Sequence, residues 1–180
     1  ISAGSGLLTR YLGEMGVNTP LRGAFAYCPG YDIRVAFARA KAPYTRLMAR
    51  KLVRQFVTPH RAALAHLPSL ESLEGAQSLD EFHRHLYECA GYPSQQSFLD
   101  NCNPMGVMAN VSIPLLVLNA EDDPVCVVGN VRDHQQAMAR MPRTLLVVTA
   151  RGSHCAYLSG LNGRSWAHEL PAEFLQAVHL

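Results

Sequence analysis

Residues 1–13 read Ile1-Ser2-Ala3-Gly4-Ser5-Gly6-Leu7-Leu8-Thr9-Arg10-Tyr11-Leu12-Gly13, and this stretch decides which fold the chain can adopt. Ser2 comes just before a segment whose large apolar side chains recur at the helical period and would share one face: Leu7, Leu8, Tyr11 and Leu12. A serine on a sharp turn from a strand into a helix, with glycine two residues later, is typical of an exposed nucleophile. We expect Gly4 to let the helix backbone pack close to that strand.

This short motif has a second interpretation. A serine beside the first turn of a helix is often only a polar residue that caps the helix. Ser5 is a poorer candidate nucleophile than Ser2, because the residues two positions away on either side are Ala3 and Leu7. The rest of the chain therefore has to decide whether Ser2 is catalytic.

Composition and charge narrow the class of protein. The chain has 180 residues, of which 48% are hydrophobic, which suits a single globular domain with a sizeable core. A formal net charge of only +2, with no nucleic-acid-binding motif, argues against a nucleic-acid partner. No apolar run approaches the roughly 18 residues of a membrane-spanning helix.

The beginning of the chain and its cysteines suggest two further points. The chain starts at the strand-to-helix turn without the regions of a signal peptide, so we interpret it as a piece of a longer protein. The missing part would carry the first strands and any targeting signal, which leaves localisation unknown. The chain has five cysteines: Cys28, Cys89, Cys102, Cys126 and Cys155. Their odd number and the lack of Cys-x-x-Cys spacing favour reduced thiols over a complete set of disulfides. We expect no metal site and no cofactor.

Three short apolar runs predict buried strands of a parallel sheet: residues 23–28, 113–119 and 144–149. Residues 131–141, bounded by Gly129 and Pro142, predict a helix between the last two. Strand, helix and strand at this spacing form a βαβ unit. The sequence therefore predicts the α/β class, with a mainly parallel sheet flanked by helices.

Residues 32–108 interrupt this alternation and predict a helical, cap-like insertion. The segment reads as several helices broken at prolines, namely Pro43, Pro59, Pro68 and Pro93. Residues 33–70 carry eight basic residues and no acidic one, and an acidic block follows at 71–88. The basic segment could face an anionic lipid surface. We favour a solvated helix face that pairs with the acidic block, because long cationic side chains commonly cover apolar surface without a ligand.

Polar residues of catalytic type follow two of the predicted strands. Asp122 and Asp123 come just after the strand at 113–119, and His154 follows the strand at 144–149. Side chains just beyond the carboxyl ends of parallel strands converge on one edge of the sheet. Taken singly, an aspartate there is often a turn residue and a loop histidine a surface residue. Serine, aspartate and histidine in this order, each at the end of an element, make coincidence improbable and predict a triad.

These motifs resemble the α/β hydrolases of the AB hydrolase 4 family. The likeness rests on residues 1–8, 11–14, 122–126, 152–155 and 166–169. It covers both ends of the chain, whereas the middle matches only loosely. The resemblance implies that residues 1–180 form the C-terminal half of a single α/β-hydrolase domain, with the N-terminal strands missing and 32–108 as the cap-like insertion.

The resemblance also implies a role for each site residue. Ser2 would be the nucleophile, His154 the general base and then the acid, and Asp123 the residue that holds the imidazole tautomer, with Asp122 as the alternate acid. Ala3 would give one N–H of the oxyanion hole, and its partner would come from a loop that the sequence does not include. The resemblance implies lipid or other esters as substrates. It also implies possible association with a membrane through an N-terminal segment that the sequence does not include.

Two departures from the family pattern have structural consequences. Ser153 stands where the family usually has glycine, which would alter the loop that carries His154. Pro171 interrupts the last helix and predicts a helix that starts near it, with Phe174 and Val178 facing inward.

Two hypotheses for the function remain. The first is a serine hydrolase that cleaves carboxylic or lipid esters. The alternative is a catalytically weak or inactive α/β-hydrolase protein that acts as a regulatory or scaffolding partner in lipid metabolism, through a protein partner that the sequence does not identify. The complete set of Ser2, Asp123 and His154 favours the first, because a remnant site is free to lose one of them.

Overall fold

A sheet of three parallel strands forms the centre of the chain, for which the computed structural model describes residues 1–179. The strands lie in the order β1-β2-β3: β1 Ala24–Tyr27, β2 Leu115–Ala120 and β3 Thr144–Thr149. Ala24 pairs with Leu115, and Leu115 in turn pairs with Thr144. Each strand lies within about two residues of its predicted run. The carboxyl ends of all three strands therefore meet at one edge of the sheet.

Some of the helices pack against this sheet, and others form a separate helical unit. In chain order they are α1 Ala3–Met15, α2 Ile33–Arg39, α3 Tyr44–Leu52, α4 Arg61–Leu64, α5 Leu70–Gly75, α6 Leu79–His85, α7 Gln95–Cys102, α8 Val128–Ala139 and α9 Glu169–His179. A π-helical turn spans Val53–Val57, and 3-10 turns span Gly16–Asn18, Pro104–Gly106, Met108–Asn110 and Trp166–His168. Two short antiparallel strands, β4 Leu158–Ser159 and β5 Arg164–Ser165, follow the sheet.

Packing of helices on the parallel sheet confirms the predicted α/β class. α1 packs against β1, and α8 packs against β2 and β3. Every residue of β2 is buried, because this strand has a neighbour on each side. The core of this part is built from apolar side chains of α1, the sheet, α8 and two connecting segments: Leu12, Ala24, Ala26, Tyr31, Met108, Leu115, Val117, Val131 and Met138.

The first helix forms as predicted, but only part of its predicted apolar face is buried: Leu12 is fully buried and Leu8 packs against the core, whereas Tyr11 is 38% exposed. Leu7 is 69% exposed, and the side turned inward carries Ser5, Thr9, Leu12 and Gly13. Small side chains on this side let α1 pack close to the segment around Val107. A Cβ added at Gly13 would lie only 2.3 Å from the Val107 carbonyl oxygen. The role predicted for Gly4 is therefore wrong, because a Cβ there would meet nothing within 4 Å.

The helices near the end of the chain match their predictions with shifted ends. α8 begins at Val128, so Gly129 lies in its first turn and does not bound it. α9 begins two residues before Pro171, which is tolerated there because first-turn N–H groups have no intrahelical acceptor. Phe174 and Val178 are half-buried, which agrees with the predicted inward face.

The chain divides into two compact units: residues 1–36 with residues 103 onward, and residues 37–102. The second unit is helical as predicted and has its own core: Val57, Leu70, Leu73, Ala76 and Phe82. An ion pair between Arg61 Nε and Glu74 Oε1 at 2.8 Å joins the basic segment to the acidic block. The role of this unit as a cap stays a prediction.

None of the helices in residues 1–179 combines the length and the apolar character that crossing a bilayer requires.

Candidate active site

Ser2 sits on a strained turn immediately before α1. Its φ of 53° and ψ of −124° lie outside the usual regions for a residue with a side chain, a conformation that costs on the order of 1–3 kcal/mol. The Ser2 N–H donates to the carbonyl oxygen of Tyr27 at 2.7 Å, which fixes the turn beside the carboxyl end of β1. Such a turn presents the serine hydroxyl at the edge of the sheet.

Ser5 has a structural role in the same turn. Its buried hydroxyl donates to the carbonyl oxygen of Tyr27 at 3.1 Å and accepts from the Tyr27 N–H at 2.8 Å. Both bonds fasten the start of α1 to the end of β1. Ser5 is therefore engaged by the backbone, in agreement with its lower rank as a nucleophile.

Asp123 is held rigidly in the loop after β2. Its Oδ1 accepts from the N–H groups of Val125 at 2.7 Å and Cys126 at 2.9 Å, so the carboxylate closes its own turn. The side chain is fully buried. A buried carboxylate needs partners for its charge, and the remaining partner is an imidazole.

His154 connects Asp123 to Ser2. Its Nδ1 lies 2.9 Å from Oδ2 and 3.1 Å from Oδ1 of Asp123, and its Nε2 lies 2.9 Å from Oγ of Ser2. The arrangement fits a neutral imidazole whose Nδ1–H donates to the carboxylate while Nε2 accepts from the serine hydroxyl. The structure thus brings the three predicted residues together, and their catalytic roles stay predictions.

The electrostatic balance at His154 raises the pKa of the imidazole. Burial acts to lower the pKa of the imidazole, but the hydrogen bond and the negative charge of Asp123 outweigh it and raise the pKa above its ordinary value. A carboxylate in this position therefore makes the imidazole a stronger base.

Asp122, the alternate acid, contacts the histidine loop and not the imidazole. Its exposed carboxylate accepts from the Ser153 N–H at 2.7 Å. Ser153 has a φ of 50°, in the left-handed region that favours glycine, so the departure from the family pattern places a strained residue in this loop. The geometry supports Asp123 as the partner of His154, while Asp122 holds the backbone beside it.

Tyr157 packs against the loop that carries His154, and the sequence did not predict this role for the tyrosine. Its N–H donates to the Gly152 carbonyl oxygen at 3.0 Å, and its buried ring lies where a Cβ on Gly152 would come within 2.5 Å. Its hydroxyl lies 3.4 Å from Sγ of Cys28. No local pattern marks this tyrosine, because the contact of its hydroxyl with Cys28 joins residues 129 positions apart.

Ala3 is the first residue of α1, so its N–H has no intrahelical acceptor and lies at the positive end of the helix. This is the position expected of an oxyanion-hole donor next to the nucleophile. Its role stays a prediction.

Thiols lie beside the imidazole, although sequence reasoning predicted no metal site. Ligand atoms of Cys28, His154 and Cys155 all lie within 4.8 Å of one another, and the same holds for Asp123, Cys126 and His154. The thiols are free. A hydrogen bond with Cys28 lowers the pKa of the Cys155 thiol, whereas the same bond and burial raise the pKa of Cys28. These residues could hold a metal ion, and spacing missed them because they come from separate segments.

Comparison with known proteins gives relatives that match nearly the whole chain, although no family model matches it. Human protein ABHD15, which the motifs also resemble, is 28% identical over 98% of this chain and 38% of its own length. Medium-chain fatty acid ethyl ester synthase/esterase 2 of Saccharomyces cerevisiae is 26% identical over 96% of this chain and 44% of its own. Mouse phospholipase ABHD3 is 25% identical over 99% and 44%.

Among solved structures, the monoacylglycerol lipase of Paleococcus ferrophilus aligns with a TM-score of 0.48 and 12% identity, over 98% of this chain and 65% of that one. The chain spans less than half the length of the three relatives described above. The sequence matches cover 96–99% of this chain, so they extend across both compact units. These matches over nearly the whole chain support an AB hydrolase family.

Proposed function

We propose that this chain carries the catalytic residues of a serine hydrolase that cleaves carboxylic esters, with lipid esters as its substrate class. The observation that carries the proposal is the 2.9 Å contact between His154 Nε2 and Ser2 Oγ, with Asp123 on the other ring nitrogen. Two of the relatives, an esterase and a phospholipase, support the substrate class.

In the first half of the reaction, Oγ of Ser2 attacks the ester carbonyl carbon while Nε2 of His154 takes the hydroxyl proton. The tetrahedral intermediate then collapses, and the imidazolium gives that proton to the departing alcohol. In the second half, water attacks the acyl carbon while His154 takes its proton; the bond to Oγ of Ser2 then breaks, Oγ receives that proton and the carboxylic acid leaves. Asp123 keeps Nδ1 protonated and stabilises the imidazolium in both halves.

The negative oxygen of the intermediate needs N–H donors. The N–H of Ala3 is one donor, because it follows the nucleophile and belongs to the first turn of α1. The second donor would come from a loop outside residues 1–180. Loss of one such donor costs on the order of 10²–10³ in rate in a serine protease, so this loop would contribute substantially to the rate.

A fluorophosphonate probe tests the proposal in the protein expressed from its whole gene. We expect covalent labelling that Ser2→Ala abolishes. Ser159→Ala is a matched control, because this serine is exposed and its hydroxyl contacts only the Arg164 carbonyl oxygen in the described hydrogen bonds. Its labelling should equal that of the unchanged protein.

The regulatory alternative makes the opposite prediction. A folded protein that resists the probe, and that hydrolyses no nitrophenyl ester of any acyl length, would refute the hydrolase and favour the scaffolding partner. A cooperative unfolding transition has to accompany that result, so that misfolding does not imitate inactivity.

A further inference from the structure

Two thiols flank the proposed catalytic imidazole. Cys28 directly follows β1, and Cys155 directly follows His154. The two thiols and the imidazole have their ligand atoms within 4.8 Å of one another, and both cysteines are free. Thiolate sulfur and imidazole nitrogen are the ligands that Zn²⁺ prefers in proteins.

The distances in this cluster are close to those of a zinc site. With bonds of about 2.3 Å to sulfur and about 2.0 Å to nitrogen, a tetrahedral ion holds its ligand atoms roughly 3.5–3.8 Å apart. Each distance in the cluster therefore has to shorten by no more than about 1.3 Å, an adjustment within the reach of side-chain rotation. Three protein ligands leave the fourth position for water, as in open zinc sites.

The cluster combines one fixed ligand with two accessible ones. Cys28 is fully buried, its N–H donates to the Leu118 carbonyl oxygen at 2.8 Å, and the Tyr157 hydroxyl lies 3.4 Å from its sulfur. Cys155 is only half-buried, and the His154 side chain is 20% exposed. An ion can therefore arrive from solvent and meet a preformed sulfur anchor.

The second cluster, which consists of Asp123, Cys126 and His154, is a weaker candidate. Oδ1 of Asp123 already accepts two backbone N–H groups, and the carboxylate contacts the imidazole directly. Cys126 is buried as well. This set supplies one thiolate where the first supplies two, and it would have to give up existing hydrogen bonds of the carboxylate.

We propose that Cys28, His154 and Cys155 form an inhibitory binding site for Zn²⁺. Binding releases two thiol protons to solvent and changes no oxidation state. Both ring nitrogens of His154 already take part in hydrogen bonds, to Asp123 and to Ser2, so coordination by either nitrogen breaks one of them. The ion and the Ser2 hydroxyl proton then compete for the imidazole. The inhibitory half of this inference rests on the proposed hydrolase function, whereas the binding half does not.

Cadmium reports on the binding half without any assay of activity. Titration of the protein from its whole gene with Cd²⁺ should give ultraviolet sulfur-to-cadmium charge-transfer absorption that saturates at one ion. Cys155→Ser should weaken binding by at least about tenfold, because removal of even an outer-shell partner costs that much. Cys89→Ser, a change in the other compact unit, should leave the titration unchanged. Cys28→Ser is a second test if it remains folded.

The result that would overturn the binding half is a titration in which Cys155→Ser behaves like the unchanged protein. A dependence on Cys126 would equally overturn it, because the ion would then occupy the other cluster.

Labelling of Ser2 by the fluorophosphonate probe in the presence of Zn²⁺ tests whether the bound ion inhibits the hydrolase. One equivalent of Zn²⁺ should block labelling of Ser2, a chelator should restore it, and Cys155→Ser should retain labelling in zinc. Labelling that persists in saturating zinc would overturn inhibition while leaving the hydrolase intact. Cadmium absorption in a folded protein that never reacts with the probe would refute the hydrolase and support the binding half.

Discussion

Replacement of Asp123 by asparagine should remove most of the activity without removing the site. Oδ1 of Asp123 accepts two backbone N–H groups at 2.7 and 2.9 Å, so the asparagine carbonyl oxygen has to stay at that position. Its amide NH₂ then faces Nδ1 of His154 and donates to it. The proton of the imidazole moves to Nε2, which can no longer accept the proton of the Ser2 hydroxyl.

A change of this kind costs on the order of 10⁴-fold in kcat in a serine protease triad, and we expect a loss of similar size here. The assay is hydrolysis of a nitrophenyl ester by the protein from its whole gene, with stability followed by denaturant unfolding. Asp122→Asn is the matched control. Its amide oxygen still accepts from the Ser153 N–H, so its loss should stay below about tenfold.

Two outcomes would refute this reasoning. If Asp123→Asn kept activity within tenfold of the unchanged protein, His154 would not depend on the carboxylate for its tautomer. If Asp122→Asn lost as much as Asp123→Asn, the acid would be assigned to the wrong residue. A folded Asp123→Asn protein is required in both cases.

The remaining predictions concern pH and close packing. Because the pKa of His154 is raised and only the neutral imidazole accepts a proton, kcat/KM should rise with pH through an apparent pKa above about 6.5. A midpoint below that value would contradict the effect of the Asp123 carboxylate on His154. Gly13→Ala should lower the free energy of unfolding by about 1–3 kcal/mol, because the new Cβ would meet the Val107 carbonyl oxygen. Gly4→Ala, where the new Cβ meets no atom within 4 Å, should raise it by up to about 1 kcal/mol. Equal effects of the two substitutions in denaturant unfolding would refute this packing. Gly152→Ala should displace the histidine loop from the tyrosine ring packed on it and slow fluorophosphonate labelling, and an unchanged labelling rate would show that the loop does not position the imidazole.

Local pattern alone was enough to predict the sheet and the segments that carry the site. The runs at 23–28, 113–119 and 144–149 are short, apolar and bounded by turn residues, and they became β1, β2 and β3. Because the strands are parallel, the residues after them had to share one edge. The positions of Asp123 and His154 followed from this rule, which depends on chain direction and not on detailed packing.

The buried face of α1 was decided by tertiary structure. Hydrophobic periodicity pointed to Leu7, Leu8, Tyr11 and Leu12. Leu12 is buried and Leu8 packs against the core, but Leu7 and Tyr11 are exposed. Close contact of the helix with Val107 requires the glycine at position 13, and the end of β1 requires the Ser5 hydroxyl. Steric fit and satisfaction of backbone hydrogen bonds outweighed hydrophobicity at this interface.

Tertiary structure also brought together what lies far apart in the chain. The sequence by itself determined the strands, the order of serine, aspartate and histidine, and the edge where they lie, since these depend on period and chain direction. It did not determine that Asp122 binds the Ser153 N–H, or that Cys28 and Cys155 meet at His154. Those contacts depend on the register of the sheet and on strained backbone at Cys28, Ser153 and Cys155, which no local pattern encodes.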